Sequence, residues 1–128
     1  MDIAKELATY LQNANFGVLG TSIYIGQIPS STDGVYVMRS GGSFNDYLPI
    51  ESSIVDIFVK DQNSEQAVTK IEQIKRFIHR MHNTVTSSAY IYSILAIGDV
   101  EVIERTDDYQ KIYKISVEVT HRPLGLIS

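Results

Sequence analysis

His79, His82 and His121, together with Asp107, Asp108, Glu101, Glu104 and Glu118, are the side chains that first suggest metal binding or proton transfer. His79 and His82 stand three apart on a helical pattern, with Arg80 between them. Neighbouring histidines on one helix face can share a metal ion, but a site needs a third ligand, and no HExxH pattern is present. With Arg76 and Arg80 they complement the negative end of a helix dipole. His121 is alone at the end of a strand pattern and is expected at a surface or an interface. Asp107-Asp108 has the composition of a hairpin turn, where Asp bonds its own backbone. Glu101, Glu104 and Glu118 fall on strands, within reach of Arg105 or Lys114 across a hairpin. Acid–base carboxylates need burial or close approach to separate their pKa values, and nothing in the pattern gathers them. No serine sits in a GxSxG elbow, and neither Gly17–Gly26 nor Gly41-Gly42 has phosphate-cradling spacing. Without cysteine there is no thiol chemistry, Cys-based zinc site or disulfide. The expectation is a non-enzyme with no catalytic, cofactor-binding or metal residue.

The elements that would position these residues are legible in the apolar spacing. Residues 52–83 read as a strand, a turn and a long helix. Val55, Ile57 and Val59 alternate with Ile54, Asp56, Phe58 and Lys60, the period of a strand. Ala67, Ile71, Ile74, Ile78 and Met81 recur at threes and fours, the period of an amphipathic helix. Asn63 is its expected cap and Asn83 its stop. A first helix runs from Asp2 to Ala14, with Ile3, Leu7 and Leu11 on one stripe and Asn15 with Gly17 ending it. Residues 21–27 and 34–39 read as strands joined in a hairpin by the Pro29–Gly34 turn. Residues 84–88 read as a polar connection. Tyr90 to Arg105, interrupted at Gly98-Asp99 by a bulge or bend, and Tyr109 to His121 form a long antiparallel hairpin. The fold class is α+β: a mainly antiparallel sheet of about five strands, two helices on one face, and the order α-β-β-β-α-β-β.

A chain of 128 residues with an ordinary apolar fraction suits one domain spanning 1–128. A net charge of -4 leaves no electrostatic footprint for nucleic acid. No apolar run approaches the ~20 residues that span a bilayer. Asp2 and Glu6 replace the basic start of a signal peptide, so synthesis in the cytoplasm is expected.

Apolar surface is the more informative feature. Two helices cover one sheet face, yet several strands carry apolar residues on both. Ile54, Phe58, Tyr90, Tyr92, Ile112 and the tail Leu124, Leu126 and Ile127 are left over, and a monomer of this size rarely leaves such a patch in water. Ile54, Phe58, Tyr90, Tyr92 and Ile112 are therefore the expected subunit interface, in a closed ring or dimer. The stretch 40–49, with Gly41, Gly42, Phe44, Asn45, Asp46 and Tyr47, reads as a loop. Its aromatics either tuck onto their own domain or contact a partner. The tip Asp107-Asp108 is a second candidate contact.

Between residues 26 and 81, GQIPSSTDGVYVMRSGG is followed by YLPIESSIVDIFVKDQNSEQAVTKIEQIKRFIHRM. This Pro and Asp-Gly turn, strand, Gly-Gly loop, Pro, strand and Ala-containing helix resembles the tail terminator proteins of long-tailed phages, including those called minor capsid proteins. The likeness covers nearly the whole chain in element order. One departure is that Lys60 and Asp61 stand where the family usually has an arginine. The resemblance implies a homo-hexameric ring on the last ring of the tail tube. That ring stops tube growth and offers the surface that joins the head connector, without catalysis or cofactor. Its implied partners are its own copies, the tail tube protein, the head connector protein, and DNA that passes without specific binding; no membrane is involved. The implied location is the head-proximal end of the tail in the virion. Two other classes fit the same elements: another head–tail connector or small ferredoxin-like ligand-binding domain, and a metal-dependent hydrolase or nuclease.

Overall fold

The helices form where the apolar period places them. A computed structural model describes residues 3–26, 33–44, 50–61, 64–79, 81–86, 89–105 and 111–123. Helix α1 (Ile3–Asn13) buries Ile3, Ala4, Leu7, Ala8 and Leu11. Its end is a Schellman motif. Asn15 takes φ 68°, its N–H donates to the Gln12 carbonyl (3.0 Å), and the Phe16 N–H donates to Leu11 (3.0 Å). Phe16 then packs on the core beside Leu11.

Helix α2 (Ser64–Ile78) buries Ala67, Ile71, Ile74 and Ile78. It stops short of the end expected from the apolar period, and His82 already lies in a strand. The cause is tertiary. The Met81 carbonyl accepts from the Ile94 N–H (2.8 Å), and His79 Nδ1 accepts from the Ala96 N–H (2.9 Å), so this stretch serves the sheet edge instead of another helical turn. Asn83 does adopt positive φ (49°), but inside a strand rather than as a helix stop. The expected cap Asn63 lies outside the described residues.

Six strands form one sheet: β1 (Ile23–Ile25), β2 (Gly34–Phe44), β3 (Glu51–Asp61), β4 (His82–Val85), β5 (Ala89–Arg105) and β6 (Lys111–Pro123), in the order β1-β2-β3-β6-β5-β4. The strand beyond the expected five is β4, read from sequence as part of the helix end and a polar connection. All pairs are antiparallel except β1 with β2, which is parallel and replaces the expected hairpin. Gly26, just after β1, takes φ 69° and its N–H donates to the Val37 carbonyl (2.8 Å). Gly34 then passes so close that a Cβ there would lie 2.8 Å from the Ser22 carbonyl oxygen, which accepts from the Val35 N–H.

The core lies between the helices and one sheet face. Val55, Ile57 and Val59 of β3 and Ile115, Val117 and Val119 of β6 join the buried helix residues there. On β5 the register shifts between Ile91 and Ser93, so Ile91 and Ile94 both enter this core. Strict alternation in the sequence would put Tyr90, Tyr92 and Ile94 on one face, but the bulge inverts the alternation and separates Ile94 from Tyr90. The expected bulge at Gly98 is present: φ is 74° there and the register shifts between Ile97 and Glu101. Asp99 accepts from the Val100 N–H (2.9 Å) and from Lys75 Nζ (3.0 Å).

Candidate assembly surfaces

The expected contact loop begins as a strand. β2 continues through Gly41, Gly42 and Phe44, which pair with Ile54, Ser53 and Glu51. The extra residue falls at Ser40, where the register shifts between Arg39 and Gly41. A Gly-Gly pair usually signals a break in a strand. Here Gly42 is required because a Cβ would lie 2.4 Å from the Ser52 carbonyl oxygen. Asn45, Asp46, Tyr47, Asp107 and Asp108 lie outside the described residues.

The sheet face away from the helices carries the expected interface. Tyr36, Phe58 and Ile112 form a small cluster there, with Tyr24 and Met38 packed against it and the Tyr24 ring stacked 5.0 Å from Tyr36. Phe58 and Ile112 are only 8% and 4% exposed, so the expectation that they need a second molecule is corrected. The cover includes Tyr24 of β1 together with Tyr36 and Met38 of β2. Ile54, Tyr90 and Tyr92 remain half-buried. The Tyr90 and Tyr92 rings lie 4.9 Å apart, and the Arg122 guanidinium sits 5.1 Å from the Tyr90 ring. Arg122 Nε also donates to the Tyr92 hydroxyl (3.1 Å). Such a cation–aromatic contact is worth about 0.5–1 kcal/mol at an exposed site. Between the clusters the face is polar: Ser116 Oγ donates to Asp56 (2.7 Å), and Lys114 Nζ lies 3.7 Å from the same carboxylate.

Apart from Val18 beside β1 and Val68 and Phe77 on α2, the exposed large apolar residues lie on β4 and β5. Val85 of β4 and Leu95, Ile97 and Val102 of β5 are 59, 45, 46 and 55% exposed. They follow the β4–β5 side of the sheet. Alternation in the sequence puts Leu95 and Ile97 on one face of this strand but does not rank them above the tyrosines, because the bulges decide which side each residue meets.

His121 is buried rather than superficial. Its Nε2 lies 2.7 Å from Ser53 Oγ, which also accepts from Arg39 Nε (3.2 Å). Burial lowers the His121 pKa, the Glu51 carboxylate opposes that, and the Arg39 guanidinium adds to it. Ser53 and His121 are 0% and 1% exposed, which makes the pair a packed polar contact at the end of the core and not a nucleophile open to substrate. Its signal in the sequence was weak, since His121 merely continues the alternation of Val117 and Val119. His79 and His82 do not share a helix face, because α2 ends at Ile78. No group of three His, Cys, Asp or Glu side chains that could hold a metal occurs among the described residues. A groove of about 540 Å³ runs between α1 and the end of β4, lined by Glu6, Tyr10, Phe77, Val85 and Thr86. Phe77 and Val85 are open to solvent, so it is a surface cleft and not an enclosed pocket.

Residues 10–121 match the family model described as bacteriophage tail terminator protein. The chain belongs to the bacteriophage tail terminator family. That stretch reaches from the last turn of α1 to the buried His121, so the match takes in α2 and all of the sheet except the last two residues of β6. Among solved structures the chain is similar to one from the virion of a native gene transfer agent particle. The TM-score is 0.55 and the identity 14%, covering 93% of this chain and 95% of that one. This likeness is one of fold. No curated protein matches the chain. Membership makes the chain a structural protein of the phage tail, as the resemblance implied.

Proposed function

We propose that six copies form a ring on the last ring of the tail tube, stop its growth and present the surface that the head connector joins. The family match across residues 10–121 carries this reading. The work is geometric, with no bond made or broken by the protein. The two candidate contact segments leave opposite ends of the sheet. β2 ends at the row of Phe44, Glu51 and His121, where residues 45–49 follow in sequence, and β5 ends at the row of Arg105, Lys111 and Asp61, where residues 106–110 follow in sequence. A joint with the tube on one side and the connector on the other needs contacts at both ends. Ordering a segment against a partner costs about 1–2 kcal/mol per residue of backbone entropy, so docking must bury Phe44 or Tyr47 to be favourable. The net charge of -4 suits a passage through which DNA slides without adhering.

The test is complementation of a phage that lacks the gene. The unaltered protein restores tails of one length joined to heads. Phe44→Ala with Tyr47→Ala gives a folded protein that leaves tails of irregular length without heads. Normal joined tails from the double variant would remove residues 44–47 from the docking role. Uniform, joined tails in the phage that lacks the gene would remove the terminator role itself.

A further inference from the structure

The groove between α1 and the end of β4 opens beside the point where the chain leaves the sheet. Pro123, the last residue of β6, pairs with Ala89 of β5. Ala89 is bound in turn to Thr86, whose N–H donates to the Ala89 carbonyl (2.9 Å) and whose Oγ1 accepts from the Ala89 N–H (3.2 Å). Thr86 lines the groove. Pro123, Ala89 and Thr86 thus lie side by side, about 10 Å from first to last at two strand spacings. The lining is aromatic and apolar: the Tyr10 and Phe77 rings lie 5.3 Å apart, and Phe77 and Val85 stay 37% and 59% exposed. Pro123 is followed by Leu124, Gly125, Leu126, Ile127 and Ser128, an apolar segment outside the described residues. Extended, residues 124–127 span roughly 14 Å.

We infer that residues 124–127 turn back over the start of β5 and seat Leu126 and Ile127 in this groove of their own copy, against Thr86, Val85 and Phe77. Both partners are apolar, so seating takes area out of water on each side. The groove also offers Asn13 and Thr9 to a main chain lying in it. Thr9 Oγ1 donates to the Lys5 carbonyl (2.9 Å) and can still accept. The other apolar surface next to Pro123, the Tyr90–Tyr92 pair, is already capped. The Arg122 guanidinium sits 5.1 Å from the Tyr90 ring, and its Nε donates to the Tyr92 hydroxyl. The same segment of a second copy would have to compete with one tethered about 10 Å away, and so short a tether gives an effective concentration on the order of millimolar. The family match stops at residue 121, so the segment lies outside the stretch which that model describes. The seat does not depend on the ring proposed above. It closes the apolar surface between α1 and β4 within a single copy and leaves Leu95, Ile97 and Val102 of β5 open.

The chain has no cysteine, so an introduced thiol reports alone. The Val85→Cys thiol is timed against a thiol-specific reagent in the otherwise unaltered chain and with Leu124→Ser, Leu126→Ser and Ile127→Ser added. Making the segment polar is expected to speed the reaction roughly tenfold, because the thiol no longer waits for the segment to lift. Val18→Cys, at a similarly exposed position that does not line the groove, should react at one rate in both backgrounds. Equal rates for Val85→Cys would overturn the seat. Val85→Cys with Ile127→Cys in one otherwise unaltered chain tests it without loosening the segment. Mild oxidation at low protein concentration is expected to close an internal disulfide, seen as faster migration without reductant. A link between chains would place the segment in a second copy and overturn the inference, and so would no link at all.

Discussion

Gly41 and Gly42 are adjacent in sequence, yet replacing each with alanine should have opposite consequences. At Gly42 a Cβ would lie 2.4 Å from the Ser52 carbonyl oxygen and 3.1 Å from Ser53 Cα. Both are backbone atoms of β3, and they cannot retreat without opening the Gly42–Ser53 pairing. The third neighbour, Arg39 Nη2 at 2.7 Å, is the end of a flexible side chain and can move. The residue also sits at φ 153°, which disfavours a side chain. Overpacking against a rigid neighbour costs about 1–3 kcal/mol, and a glycine-only backbone about the same again. Gly42→Ala is therefore expected to lose on the order of 3 kcal/mol. That is a fall of roughly 10 °C in Tm for a domain of this size, or about 1–2 M in urea midpoint. At Gly41 the same atom would meet only Ile54 Cδ1, at 4.0 Å, and φ is not positive. Gly41→Ala should be neutral or slightly stabilising, by up to about 0.5 kcal/mol, through the unfolded chain. Urea unfolding followed by circular dichroism, at one fixed protein concentration, measures both. If the two variants unfold within about 0.5 kcal/mol of each other, residues 41 and 42 are a free loop and the strand pairing described above is wrong.

Two further outcomes test local features. His121 has a folded pKa below its unfolded value, so the unfolded chain binds the extra proton first on acidification. Its contribution is intact above the unfolded value of about 6.5 and is lost as pH falls from there through the folded pKa. Unfolding free energy measured between pH 7.5 and 5 should fall more steeply for the unaltered protein than for His121→Gln, and equal slopes would show that His121 is solvated. Asn15 holds the left-handed position that closes α1, so Asn15→Ala should cost about 1 kcal/mol while Asn15→Gly costs nothing. Thermal unfolding of the pair decides it, and equal losses would move the helix end elsewhere.

The sequence alone settled whatever depends on which face of one segment meets the core. The stripes of α1 and α2, the alternation of β3 and β6 and the bulge at Gly98 are periodic or conformational signals carried within a few residues. Asn15 could be placed at the end of α1 for the same reason. The tertiary structure alone decided what depends on pairing between distant segments. It turned 82–85 into an edge strand and made β1 parallel to β2. It carried β2 through Gly41-Gly42, shifted Ile91 and Ile94 onto one face, and buried His121 against Ser53. It covered Phe58 and Ile112 with Tyr24, Tyr36 and Met38, and left Leu95, Ile97 and Val102 exposed. A hydrogen-bond ladder takes its register from a partner strand tens of residues away. Side-chain alternation reports that a strand exists, but not which strand lies beside it or which of its edges stays open.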